Sequence, residues 1–185
     1  MISKAIRFSL VFLVVCGLLY PLATTGLAKV FFPRQAEGSL IRRADGTVIG
    51  SELIGQAFTT PGYFHGRVSS VKYDAAATGG SNAGPTDEAL AERVKADVAQ
   101  WQKENPGQPV PSDLLTNSGS GVDPHISPEA ALAQVARVSQ TTGIPVATLK
   151  KLVEANTEGR TFGLFGEPRV NVLKLNLAAQ NLKGR

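Results

Sequence analysis

The sequence predicts an α+β protein: one N-terminal transmembrane helix, then a single soluble domain with a small β-sheet and about three helices. Three observations carry this expectation. Phe8 to Ala28 is a run of 21 residues without a charge, with Lys4 and Arg7 just before it. At about 1.5 Å per residue such a helix covers roughly 30 Å, the thickness of a bilayer's hydrocarbon core. Further along, helix-start and helix-stop residues bracket stretches with apolar side chains at helical spacing. Short alternating runs, one of them around Asp45-Gly46, read as strands.

The expected organisation is a tail at 1–7, an anchor at 8–32 and a soluble domain at 33–185. Gly26 and Ala28 are small enough for a signal-peptide cleavage site before Lys29,. The apolar run nevertheless continues through Val30, Phe31 and Phe32, which favours a retained anchor. Pro21 removes one helical hydrogen bond, so a kink is expected near Gly17–Pro21. Gly17, Pro21, Ala23 and Gly26 are the candidates for packing on partner helices, where small residues permit close approach. The short charged tail favours a cytoplasmic N-terminus and an exported domain, although Lys29, Arg34, Arg42 and Arg43 count the other way.

In the soluble domain, Leu40–Arg43 and Thr47–Gly50 flank the Asp45-Gly46 turn signal of a hairpin. Tyr63–Val68 reads as a short extended piece, and Asp74–Pro85 as a loop. Thr86 is the expected cap of a helix over 87–104, with Leu90, Val94, Val98 and Trp101 on one face. A second loop spans Gln108–Pro124. Ser127-Pro128-Glu129 starts a helix that Gly143 ends after Thr142. Ile144-Pro145 opens another, buried through Leu149, Leu152 and Val153. Val170 and Val172 share one phase and Leu173, Leu175 and Leu177 the other, which suggests a bulged strand. The sheet is expected to draw on both ends of the domain.

Composition excludes several function classes. Residues 1–36 hold Lys4, Arg7, Lys29 and Arg34 and no acid, so the remaining 15 basic and 15 acidic side chains cancel. A neutral domain without a basic run is not built for nucleic acid. Cys16 is the one cysteine, inside the apolar run, and only His65 and His125 could serve as imidazole ligands; a zinc site is not expected. Asp123, His125 and Ser127 invite a hydrolase triad, but five consecutive residues rarely form such a relay and no GxSxG elbow accompanies them. Capping of a helix by Ser127 and bracing of the turn by Asp123 is the simpler expectation. Gly79–Pro85 and Ser118–Gly121 resemble phosphate loops without GK[ST] or GxGxxG, so tight turns are expected there. Gln134 reads as a solvated helix position, and Trp101 as core.

Taken together, FFPRQAEGSLI, GSELIGQAF, GYFHGR, TGGSNAGPT, PVPSDLLTNSGSGVDPHISPEAA, QVARV and GEPRVNVLKLNLA cover nearly the whole chain. In this order they resemble the C subunit (KdpC) family of bacterial Kdp potassium-transporting P-type ATPases. Arg67-Val68-Ser69 departs from the Arg-Pro-Ser expected of the family. The resemblance implies a non-catalytic accessory subunit in the plasma (inner) membrane. Its implied partners are a channel-like potassium-binding subunit, a P-type ATPase subunit that hydrolyses ATP, and the lipid bilayer; potassium is handled by the partners. It implies a role in assembly and, by one proposal for the family, a catalytic chaperone that raises ATP affinity and itself binds nucleotide, a role carried here to Gln134. No covalently bound cofactor is implied. An exported domain cannot meet cytoplasmic ATP, so the alternative is a periplasmic domain that supports the side of the channel subunit where potassium enters. Tyr63, Arg67, Asn82 and Asn117 are then the candidate partner surface. A secreted hydrolase using His125 as base and a soluble ligand-binding module are the rival classes.

Overall fold

The computed structural model describes residues 1–183. The chain divides into two compact units, Met1–Ser51 and Glu52–Arg185.

The first unit begins with an apolar helix, Ile2–Phe31, 30 residues long and without a buried residue. It comprises α1 (Ile2–Val14), a π-helical turn (Val15–Leu19) and α2 (Tyr20–Phe31). The π turn lies where the kink was expected. Pro21 offers no N–H and its ring crowds the carbonyl four residues back, at Gly17; widening the turn relieves both, and the Tyr20 N–H bonds to the Val15 carbonyl,. Thr24 Oγ1 then donates to the Tyr20 carbonyl at 2.9 Å. The helix stops at Phe32 because Pro33 disfavours helical geometry in the residue before it,. A single turn, α3 (Pro33–Ala36), leads into a hairpin of β1 (Leu40–Arg42) and β2 (Val48–Ser51). Gly46 takes φ +85° in the turn, and Asp45 Oδ1 accepts from the Thr47 N–H at 2.9 Å. The turn chemistry read from Asp45-Gly46 is thus the one used.

The second unit packs helices on a small antiparallel sheet of order β3–β5–β4, formed by His125–Ile126, Arg169–Asn171 and Thr157–Glu158. The hairpin β1–β2 forms a sheet of its own, so the single sheet expected from both ends of the domain is not what forms. Helix α4 (Glu88–Glu104) is capped by Asp87, one residue after the expected Thr86, because the Asp87 carboxylate accepts from both Ala89 N and Leu90 N,. Trp101 is buried and its Nε1 donates to the Gln108 carbonyl at 3.1 Å. Helices α5 (Pro128–Thr142) and α6 (Val146–Ala155) form the expected helical hairpin, with Ser127 as cap and Gly143 at φ +77° as stop,.

The C-terminal strand is corrected. After β5 the chain turns at once into α7 (Val172–Lys183). Val172, Leu175 and Ala179 are buried at helical spacing, and Asn171 Oδ1 accepts from the Lys174 N–H at 3.1 Å like an N-cap. The apparent change of strand phase after Val172 marks a change from a period of 2 to one of 3.6. The core lies among Phe64, Val135, Val138, Leu149, Val170 and Leu175.

Candidate functional site

The centre of the second unit is a segment of backbone held by side chains. Helix α5 presents Ala130, Gln134 and Val138 at i, i+4 and i+8, all fully buried,. Helix α7 presents Asn176, also buried. Between them runs Pro61–Gly66. Gln134 Oε1 accepts from the His65 N–H at 2.8 Å, and Gln134 Nε2 donates to the His65 carbonyl at 3.1 Å. One residue earlier, Asn176 Oδ1 accepts from the Phe64 N–H at 2.8 Å and Nδ2 donates back to the Phe64 carbonyl at 2.9 Å. Each primary amide carries an acceptor oxygen and N–H donors, so it can bond a peptide group in both directions at once. Two side chains therefore supply ladder partners that neighbouring strands would otherwise provide. The Tyr63–Val68 piece is not a regular strand, because its partners are amide side chains and a lone parallel bridge from Val68 to Asn117.

Arg137, one turn on from Gln134, closes the arrangement. It is 4% exposed; its Nη1 donates to the carbonyls of Pro61 and Tyr63, and its Nη2 to Gln134 Oε1 at 2.6 Å. His65 Nε2 lies 3.2 Å from the Thr60 carbonyl. Burial, with the Arg137 charge second, holds the His65 imidazole below its ordinary pKa,.

The expectation that Gln134 faces solvent is overturned. It is 0% exposed, and its amide is taken up by His65, Arg137 and the Ala130 carbonyl, the last at 3.2 Å from Nε2. The i, i+4, i+8 run with Ala130 and Val138 was the signal that placed it on the buried face. Asn176 and Arg137 were not singled out by sequence reasoning; only the Ala130–Gln134–Val138 stripe and the neighbouring leucines hinted at their faces.

The expected partner surface divides. Arg67 Nη2 donates to Thr116 Oγ1 at 3.0 Å, and Val68 bridges Asn117, so the segments that carry Arg67 and Asn117 run side by side. Asn117 shares the lining of a cavity of about 490 Å³ with Ser81, next to the exposed Asn82. Asn82 takes φ +52°, a left-handed conformation that Asn tolerates,. Tyr63 lies apart: its ring is 5.5 Å from Phe58, its hydroxyl accepts from Gln180 Nε2 at 2.6 Å, and it lines a separate cavity of about 200 Å³. Gly17, Pro21, Ala23 and Gly26 are all exposed along the apolar helix.

Asp123, His125 and Ser127 do not form a relay. Ser127 Oγ accepts from the Ala130 N–H at 3.0 Å as a helix cap, and Asp123 Oδ1 accepts from the His125 N–H at 3.0 Å. Arg67 pairs with the other Asp123 oxygen at 3.6 Å. The hydrogen bonds from His125 hold the Asp123 carboxyl below its usual range,. The glycine-rich loops bond to each other: Gly79 N donates to the Ser120 carbonyl at 2.8 Å. Gly55 is required by close approach, since a Cβ there would sit 2.6 Å from the Asp123 backbone carbonyl; one on Gly66 would sit 2.7 Å from the tip of the Tyr73 side chain. Among the described residues no group of three or more His, Cys, Asp or Glu side chains could hold a metal ion.

The family model described as "KdpC: K+-transporting ATPase, c chain" matches residues 2–181. The chain belongs to the KdpC family. Among similar curated proteins is the "Potassium-transporting ATPase KdpC subunit" of Bacillus cereus (strain Q1), 54% identical over 184 residues, spanning 98% of this chain and 95% of that protein. The proteins of the same description from Bacillus anthracis (strain CDC 684 / NRRL 3495) and Bacillus thuringiensis subsp. konkukian (strain 97-27) are each 53% identical over the same shares. The KdpC match takes in both the apolar helix and the amide-held core, so both units belong to the family's architecture.

Proposed function

We propose that the chain is a non-catalytic, membrane-anchored subunit of an ATP-driven potassium uptake pump, and that its second unit is a rigid assembly body that does not bind nucleotide. Its partners on this reading are a channel-like potassium-binding subunit and a P-type ATPase subunit. Helix Ile2–Phe31 spans the plasma membrane with its N-terminus in the cytoplasm, and the second unit is periplasmic, where it supports the side of the channel subunit at which potassium enters. Similarity to proteins described as subunits of a potassium-transporting ATPase supports the assignment to a complex. The observation that carries the structural role is the burial of Gln134. A glutamine whose amide oxygen and nitrogen are bonded to His65, Arg137 and Ala130 has nothing left to offer ATP unless the core opens,.

The test is topology. Membrane vesicles of known orientation carry the full chain with a C-terminal tag and are treated with protease. Tag loss only when the periplasmic face is exposed agrees with the proposal and separates the second unit from cytoplasmic ATP. Tag loss only from the cytoplasmic face overturns it and restores the catalytic chaperone as the reading to pursue.

A further inference from the structure

We infer that the hairpin Arg160–Glu167 is an apolar plug that seats in an uncharged pocket on another subunit of the same transporter; the inference rests on the subunit reading above. The local sequence, Gly159-Arg160-Thr161-Phe162-Gly163-Leu164-Phe165-Gly166-Glu167, places three large apolar side chains between glycines. Their exposures are 93% for Phe162, 72% for Leu164 and 64% for Phe165. Nothing about the segment is loosely built. Thr161 and Phe165 exchange backbone hydrogen bonds at 2.9 and 3.0 Å. Arg160 Nη2 donates to both Glu167 carboxylate oxygens, at 3.0 and 2.8 Å, and so clamps the base. Phe162 is held at φ +56° and Gly163 at φ +73°. A bulky residue rarely adopts that conformation, and here it accompanies a ring displayed almost wholly to solvent.

Area and charge select the occupant. With fully buried aromatics hiding about 150–250 Å² each, the three tips offer roughly 400 Å². That lies within the roughly 300–600 Å² of the largest apolar patch on a typical monomer, which is often functional, and is about half of the roughly 800 Å² per partner of a stable interface. The plug cannot hold a partner alone, and two copies meeting tip to tip would still fall short. It suits a partner already held nearby, and a shared membrane supplies such a partner at high effective concentration. The charges around its base are matched within the chain: Arg160 with Glu167, Arg169 with Glu158, and Lys174 with Glu52. Arg160 and Glu167, both exposed, neutralise each other and leave no net charge at the base for an ionic partner. A neutral apolar pocket in a protein asks for none.

The test uses the full chain produced together with the other subunits. A photo-crosslinking amino acid replaces Leu164, and membranes are irradiated. The expected product joins this chain to another subunit of the transporter; products only with lipid, or only with a second copy of this chain, overturn the inference. In parallel, a Phe162→Asn, Leu164→Asn double variant is purified in mild detergent. Asn accepts the left-handed backbone at 162, so insertion and the unfolding midpoint should match the parent chain. Its recovery with the other subunits should fall by about tenfold, as for loss of hot-spot side chains. Undiminished recovery overturns the plug while leaving the subunit reading intact. Failure of the parent chain itself to co-purify overturns both.

Discussion

Replacing Gln134 with alanine removes the amide that holds His65 and meets Arg137. The His65 N–H and carbonyl lose partners at 2.8 and 3.1 Å, and an Arg137 N–H loses one at 2.6 Å. A buried polar group left without a partner costs about 1–3 kcal/mol. Water reaching the half-buried His65 backbone offsets part of this, so the expected loss is about 3 kcal/mol, with no credit taken for the cavity. For a unit of this size that corresponds to a fall of roughly 10 °C in the unfolding midpoint. The assay is thermal unfolding of the detergent-purified full chain, followed by circular dichroism, with and without ATP. Asn176→Ala should cost a similar amount, and the double variant should cost less than the two losses added, because both amides hold consecutive residues of one segment. A Gln134→Ala chain less than about 1 kcal/mol weaker without ATP, yet deficient in nucleotide binding, would refute the structural role.

Other outcomes follow from the same physical terms. Leu13→Arg, at a position 68% exposed on the apolar helix, should disfavour insertion by about 2.5–3.5 kcal/mol if it lies near mid-bilayer, and normal membrane retention would contradict a spanning helix. Gly55→Ala drives a Cβ to 2.6 Å from the Asp123 carbonyl and should cost about 1–3 kcal/mol in denaturant unfolding. His65 is held below its ordinary value of 6.5, so the unfolded chain takes up the proton first as pH falls. Stability should therefore decline from about pH 7 towards pH 5, and His65→Gln should flatten that decline in midpoints measured across the range.

Much of the fold was legible because its signals are local. The Asp45-Gly46 turn, the Ser127 cap with Pro128, and the Gly143 stop each act within four residues, and all three appear as read. The Thr86 cap slipped by one position because two adjacent residues, Thr86 and Asp87, both suit that role. The C-terminus failed because Arg169–Leu177 is a strand of three residues fused to a helix; neither period runs long enough to reveal the junction,. Of the candidate surface, the segments that carry Arg67 and Asn117 run side by side, while Tyr63 belongs to another cavity, a division that spacing along the chain cannot express.

The sequence by itself determined the apolar span, its interruption near Pro21, the neutral charge of the remainder, both ends of helix α5 and the start of α6, since composition and near-neighbour bonding suffice for each. Only the tertiary structure decided what Gln134 and Asn176 do. Each amide bonds both the N–H and the carbonyl of one residue, and that backbone lies 69 or 112 residues away. Whether such a side chain faces water or replaces a missing strand depends on where the chain returns, and that is settled when α5 and α7 close around Phe64 and His65.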